Sequence, residues 1–262
     1  MVMPGASFTI RTIADLRQAL APARAGRIGL VPTMGAFHVG HVSLFEAARR
    51  QCDTVVVSLF VNPSQFGDTA DLERYPRNEP RDAGMARDAG VDLLFAPDPR
   101  EMYPDGYDTW VDVESLGRVL EGASRPGHFR GVATICLKLF NVVQPHVAFF
   151  GQKDAQQVAV IRRMVRDLDV PLEIAVLPTV RDPDGLALSS RNVRLSPADR
   201  DRALALPRAL ATGSAERARE MLKELDVDYV EVAPFDPPVL AAAVRVGGVR
   251  LIDNVIVEGE SK

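Results

Sequence analysis

Val31-Pro32-Thr33-Met34-Gly35-Ala36-Phe37-His38-Val39-Gly40-His41 follows a short apolar run, Ile28 to Val31, and precedes an alanine-rich segment, Val42 to Arg50. The run has the character of a buried strand and the segment that of a helix, so the stretch reads as strand, turn, helix. Two imidazoles three residues apart at a helix start share one face. The glycines let backbone come close to a ligand, and a helix N-terminus favours phosphate. Spacing alone leaves a structural or zinc reading of His-x-x-His open. The strand–turn–helix setting points instead to a nucleotide.

Outward from that turn, strands and helices alternate through the first two-thirds of the chain. Strand-like runs fall at Ile28–Val31, Thr54–Val61, Asp92–Ala96, Thr109–Val113, Val147–Phe150 and Leu172–Leu177. Helical patterns include Val132–Val143 and Asp154–Leu168, the latter with apolar Val158, Ile161 and Val165. This order predicts an α/β fold, a Rossmann-like parallel sheet covered on both faces, with ligands at the carboxyl ends of its strands. Phe150-Gly151-Gln152-Lys153-Asp154 lies at a second such end. After about Thr179 the character changes to a polar, turn-rich stretch, then an alanine-rich helical region. Tyr229–Val232 follows, then a hairpin of Ala241–Val246 and Val249–Val257 joined by Gly247-Gly248, a favoured two-residue turn. The expected division is a nucleotide- and substrate-binding domain over 1–178 and a smaller α+β domain over 179–262.

Composition bounds the function. At 262 residues, 47% hydrophobic and 25% charged, the chain has the make-up of a soluble globular protein. A net charge of -4 argues against nonspecific nucleic-acid binding. Residues 1–8 lack a basic region followed by an apolar stretch, and no run approaches membrane-spanning length. A cytoplasmic protein with neither nucleic acid nor membrane as partner is expected. Cys52 and Cys136 are too few for a disulfide framework, have no zinc spacing, and read as buried thiols.

Seen singly, several candidates have ordinary readings. Lys153-Asp154 could be a helix start with Asp154 as N-cap. Ser189-Ser190-Arg191 could be a solvated turn, and Gln65 and Gln157 surface amides. Gln65, however, follows Asn62-Pro63 at a buried strand's end and is expected to face the cleft.

Together these residues carry a resemblance that extends over most of the chain. It includes Pro32-Thr33-Met34-Gly35, His38-x-Gly40-His41, Phe60-Val61-Asn62-Pro63-x-Gln65-Phe66, Tyr75-Pro76-Arg77 and Met102-Tyr103-Pro104. It continues through the unbroken block Leu120 to Val132, Phe150-Gly151-x-Lys153-Asp154-x-Gln156-Gln157 and Asp184 to Asn192. The chain resembles the pantothenate synthetase family, ATP-dependent ligases that join pantoate to β-alanine, within the nucleotidyltransferases with His-x-Gly-His signatures.

The resemblance implies a pantoyl-adenylate intermediate and release of AMP and pyrophosphate. It implies ATP contacts from Met34, Gly35, Ala36, Phe37, His38, Val39, Gly40 and His41. Further ATP contacts fall to Gly151, Gln152, Lys153 and Asp154, and to Val180, Leu188, Ser189, Ser190 and Arg191. His41, as proton donor, His38, Lys153 and Arg191 are the catalytic set, with Lys153 and Arg191 expected on different domains. Gln65 and Gln157 are assigned to pantoate, with Asn62 and Met34 beside them. Arg125 and His128 belong to the same neighbourhood, where Arg125 either lines the pocket or braces its loop. The segment 184–191 is similar to a mobile loop that closes over ATP. A homodimer through the N-terminal domain is also implied.

The chain departs from the family in places. Gln152 stands where many relatives have Glu, Leu188 where Met is frequent, and the C-terminal domain is short between Leu210 and Tyr229. In the loop Asn78 to Met85, only Asp82 keeps a carboxylate in the register where relatives place groups near magnesium. Asp82 is therefore the one candidate metal ligand, and magnesium is expected to arrive with ATP, held mainly by phosphate and water.

Overall fold

The computed structural model describes residues 8–67 and 69–258; the N-terminal stretch 1–7, where no signal-peptide pattern is expected, lies outside the described residues. The chain divides into two compact units. The first is Met1–Phe37, His41–Phe150 and Val160–Leu177, and the second His38–Gly40, Gly151–Ala159 and Pro178–Lys262.

In the first unit a six-stranded sheet is built from β1 (Thr9–Ile10), β2 (Ile28–Thr33), β3 (Thr54–Leu59), β4 (Leu93–Phe95), β5 (Val147–Gly151) and β6 (Glu173–Leu177). Their order is β1-β4-β3-β2-β5-β6, with parallel registers from β1 through β5. Ile28, Leu30, Val31, Val55, Val56 and Val57 are fully buried. That is the expected composition of parallel strands covered on both faces. Gly29 admits the covering layers closely, since a Cβ there would lie 2.8 Å from Cys52 Sγ and 3.1 Å from the Phe149 ring. The helices are α1 (Ile13–Leu20), α2 (Val39–Gln51), α3 (Thr69–Arg74), α4 (Glu79–Asp88), α5 (Pro99–Met102), α6 (Glu121–Ser124), α7 (His128–Val143) and α8 (Ala155–Asp167), the first residues of α2 and α8 being counted with the second unit. From β2 the chain steps outward through β3 and β4, then returns to the other side of β2 for β5 and β6. The sheet therefore switches direction between β2 and β5, where doubly wound folds place their ligands. Each of these two strands runs into one of the candidate turns.

One expected strand is absent. Residues 109–113 belong to no strand or helix. Trp110 stacks on Tyr103 at 6.0 Å, the Arg130 guanidinium lies 4.8 Å over the indole, and the Val111 amide donates to Thr134 Oγ1 at 3.0 Å. Side chains and one α7 hydroxyl thus hold the segment that alternation suggested would join a ladder. Cys52 and Cys136 are buried, as expected, and burial pushes the Cys136 thiol up to about 12.

The second unit contains α9 (Pro197–Ala203), α10 (Ala205–Leu210) and α11 (Ala215–Leu222), and an antiparallel sheet of β7 (Asp226–Ala233), β8 (Val239–Val246) and β9 (Val249–Ile256). The hairpin turn is Gly247-Gly248, both with positive φ, 55° and 74°, which only glycine adopts freely. Leu206, Leu210, Leu222, Val230, Leu240 and Val244 form its core. Among the described residues no helix is long and apolar enough to cross a membrane.

Candidate active site

In the first unit the turn after β2 is braced from within. Thr33 Oγ1 donates to Ser58 O at 2.5 Å, tying the strand end to β3. Gly35 and Ala36 then take φ of 87° and 54°, and the second value is uncommon for a residue with a Cβ. Asp82, 1% exposed on α4, accepts the Ala36 amide at 2.7 Å and the Phe37 amide at 2.9 Å. These hydrogen bonds to a carboxylate hold the unusual backbone in place.

The Ala36 and Phe37 amides are thus taken by a carboxylate of the protein. The Phe37 ring is buried in the core, edge-on to Phe45 at 5.1 Å and 5.4 Å from the His41 ring. Asp82 thus braces the turn, and among the described residues no three His, Cys, Asp or Glu side chains converge to hold a metal ion.

The Gln65 loop meets this turn. Gln65 Nε2 donates to Met34 Sδ at 2.9 Å, so the two expected substrate residues lie together. Asn62, buried, caps the short turn Pro63–Gln65. Its Nδ2 donates to Gln65 Oε1 at 3.0 Å and Gly131 O at 3.1 Å. Its Oδ1 accepts from Ser64 Oγ and Tyr103 Oη, both at 2.9 Å. These bonds tie Asn62 to Gln65, Ser64, Tyr103 and Gly131 at once. Burial pushes the Tyr103 phenol up to about 12 and keeps it a donor.

Arg125 braces the loop. Its Nη1 lies 3.1 Å from His128 Nε2, and His128 Nδ1 lies 2.9 Å from Gln65 O. A carbonyl only accepts, so the proton of that second bond sits on Nδ1 and Nε2 accepts from the guanidinium. Gly131 on α7 lets this layer close, since a Cβ there would meet Ser64 O at 2.5 Å. Beside the turn a cavity of about 330 Å³ is lined by Met34, Gly35, Phe60, Pro63, Asn78 and Asp82, among others.

The second unit gathers the other candidates. The Gly40 amide donates to His38 Nδ1 at 3.1 Å, which leaves Nε2 to carry the ring proton of neutral His38. A Cβ on Gly40 would stand 2.9 Å from that ring and 4.0 Å from Val180, so this glycine is required by close packing. Val39 is exposed. Around Gly151 there is open space, with no atom within 4 Å of where a Cβ would sit. Gln152–Asp154 form a short turn directly before α8, which begins at Ala155. Lys153 Nζ lies 3.7 Å from Asp154 Oδ1.

Farther along, Arg181 and Ala187 form an antiparallel bridge, and the Leu188 amide donates to Val180 O at 3.0 Å. This small hairpin delivers Ser189, Ser190 and Arg191. Ser189 Oγ accepts the Arg191 amide at 3.2 Å. Lys153, Ser189 and Arg191 line one small cavity together with Asp253. Lys153 and Arg191, expected on different domains, thus belong to one unit. Gln157 is half-buried on α8 in the same unit.

Sequence reasoning passed over Asp253 and Asn254, both buried on β9. Their signal was two polar residues inside the apolar run Leu251 to Ile256. Arg181 donates to Asp253 through Nη1 at 2.7 Å and Nη2 at 3.0 Å.

A doubly wound sheet with a glycine turn at its switch point is the setting of a nucleotide-binding protein, and the Lys–Ser–Arg cluster of the second unit has the chemistry that suits an anion. The particular family follows from comparison with known proteins. A profile of the pantoate-beta-alanine ligase family matches residues 8–256, and the chain belongs to that family. Pantothenate synthetase from Moorella thermoacetica is 53% identical, the alignment covering 95% of this chain and 98% of that one. The crystal structure of pantothenate synthetase from Thermus thermophilus superposes with a TM-score of 0.89 at 47% identity, over 95% of this chain and 99% of that one. That of pantoate-beta-alanine ligase from Francisella tularensis, complexed with beta-gamma ATP and beta-alanine, gives 0.87 at 35% identity, over 96% and 98%.

Proposed function

We propose that this chain condenses pantoate with β-alanine at the expense of ATP, through pantoyl adenylate. A pantoate carboxylate oxygen attacks the α-phosphorus, forming the acyl–phosphate bond as the bond to the β-phosphate oxygen breaks and pyrophosphate leaves. The β-alanine amine then attacks the acyl carbon, expels AMP and loses a proton, leaving the amide.

The observation that carries this reading is the Met34–Gln65 contact, at the carboxyl end of the sheet, in a chain of this family. A neutral amide donates and accepts, which suits an acid that also carries hydroxyls. Gln157 is the second amide assigned to pantoate. In the second unit Lys153, Ser189, Ser190, Arg191, the 38–40 turn, Gly151, Val180 and Leu188 serve ATP. Lys supplies a mobile charge, and Arg a rigid fork matched to phosphate oxygens. His41 donates a proton or hydrogen bond as charge builds on the leaving pyrophosphate.

Magnesium enters as part of the ATP complex, held by phosphates and water. The region 1–178 serves pantoate and nucleotide, and 179–262 acts as the smaller lid domain. The enzyme works in the cytoplasm as a homodimer joined through its N-terminal domain. Exchange of labelled pyrophosphate into ATP tests the reading. Exchange that requires pantoate is expected, and exchange indifferent to pantoate would refute it.

A further inference from the structure

Asn254 is 4% exposed, in the middle of β9 and opposite Ala241 on β8. All three hydrogen bonds of its side chain fall on one short segment. Nδ2 donates to Gln152 O and to Lys153 O, each at 2.9 Å, and Oδ1 accepts from Gln152 Nε2 at 3.0 Å. Such saturation of a buried amide is costly to disturb and fixes its partners tightly. The preceding residue, Asp253, lines the small cavity shared by Lys153, Ser189 and Arg191. Asp253 takes both Arg181 nitrogens and the Asn254 amide, the last at 2.8 Å. Arg181 also donates to Gly185 O at 3.1 Å, inside the hairpin that ends at Ser189 and Arg191.

Two consecutive residues of one strand therefore register the Lys153 turn and the Ser189–Arg191 turn against each other. Successive strand residues point to opposite faces, so one dipeptide can grip two segments.

We propose that Asn254, with Gln152 as its amide partner, is a positioning residue for ATP, setting Lys153 at the spacing from Ser189 and Arg191 that a polyphosphate needs. The inference rests on the reading that Lys153 and Arg191 serve the nucleotide. Gln152 then has a task of its own, because its side chain donates to Asn254 Oδ1 while its backbone carbonyl accepts in return. A carboxylate there would set oxygen against oxygen.

The test is a double-mutant cycle on the full-length protein, read by titration with magnesium ATP and by pantoate-dependent pyrophosphate exchange. Asn254→Asp keeps the shape and removes both donors. It is expected to weaken ATP binding about tenfold, the net worth of one to two neutral hydrogen bonds, with the KM for pantoate unchanged. In a Lys153→Ala background the same substitution is expected to cost less than about twofold, because its effect passes through Lys153. Gln152→Ala, at a half-buried position, repeats the cycle at smaller amplitude if Asn254→Asp fails to fold. Equal losses in both backgrounds, or wild-type ATP affinity in Asn254→Asp, would overturn the proposal. Wild-type protein without pantoate-dependent exchange would overturn the ligase reading and this inference with it. Active wild type with an additive cycle would overturn the inference alone.

Discussion

Replacing Asp82 by Asn separates bracing from metal binding with one near-isosteric change. The carboxylate accepts two amides, from Ala36 and Phe37, and is buried. An Asn side chain offers one oxygen to one amide and turns an NH2 toward the other. One charge-assisted bond is lost, typically about 1.5–3 kcal/mol, and one buried N–H is orphaned. The sum, discounted for relaxation, is about 2–3 kcal/mol against the first unit. Urea denaturation reads this through Trp110, the sole tryptophan, which lies in that unit. At about 2 kcal/mol per molar urea, the midpoint should fall by about 1 M. The exchange rate should fall as well, because Ala36 no longer has the partner that holds its φ of 54°. The magnesium concentration giving half-maximal exchange should not move. An unchanged urea midpoint with a raised magnesium requirement would refute the bracing argument and restore Asp82 as a metal ligand.

Gly131→Ala should drive a methyl into Ser64 O and the Gln65 amide, at 2.5 and 2.8 Å, and so raise the KM for pantoate more than that for ATP. Equal changes in the two would detach Gly131 from the Gln65 loop. His41→Ala should lower adenylation by about 10²–10³ with circular dichroism unchanged, the usual loss for one preorganised donor; wild-type exchange would remove its role. Hydrogen bonding from Arg200 holds the Asp184 carboxyl below its ordinary value of 3.8. A depressed carboxylate stabilises the folded form fully above that ordinary value and loses the contribution as pH falls through the lowered one. Amide exchange over 182–188 should therefore keep its protection above 3.8 and lose the Arg200-dependent part as the pH falls below that value, whereas Arg200→Ala should remove that part already at neutral pH and flatten the dependence. An unmoved profile would break the link.

The main sheet was legible because buried parallel strands are written as continuous apolar runs, and Ile28–Val31 and Val147–Phe150 are of that kind. The Gly247-Gly248 hairpin was legible because two adjacent positive φ values favour glycine. Thr109–Val113 misled because alternation records which side chains are covered, and stacking on Tyr103 covers Trp110 as well as a neighbouring strand would. β1 escaped notice because two residues, Thr9 and Ile10, show no period. Within the site, residue types were easier to read than their occupations. Ala36 and Phe37 were assigned to ATP by resemblance, and only the fold shows that Asp82, more than forty positions away, accepts their amides. Asn62 was placed beside Gln65 by resemblance, and only the fold shows that Tyr103 and Gly131 hold it as well.

The path of the chain through its two units also limits how this protein could be dismantled. β9 grips Gln152 and Lys153, which lie about a hundred residues upstream and reach the second unit as the separate piece Gly151–Ala159. Cutting at Pro178 would leave Asn254 with three empty hydrogen-bonding positions in a buried place. The C-terminal stretch is thus no cassette that could be transplanted to another chain by recombination. A donor would also have to supply the 38–40 and 151–159 pieces, so interruptions of the gene should be tolerated in the turns between α9 and α11 far better than at the apparent border near 178.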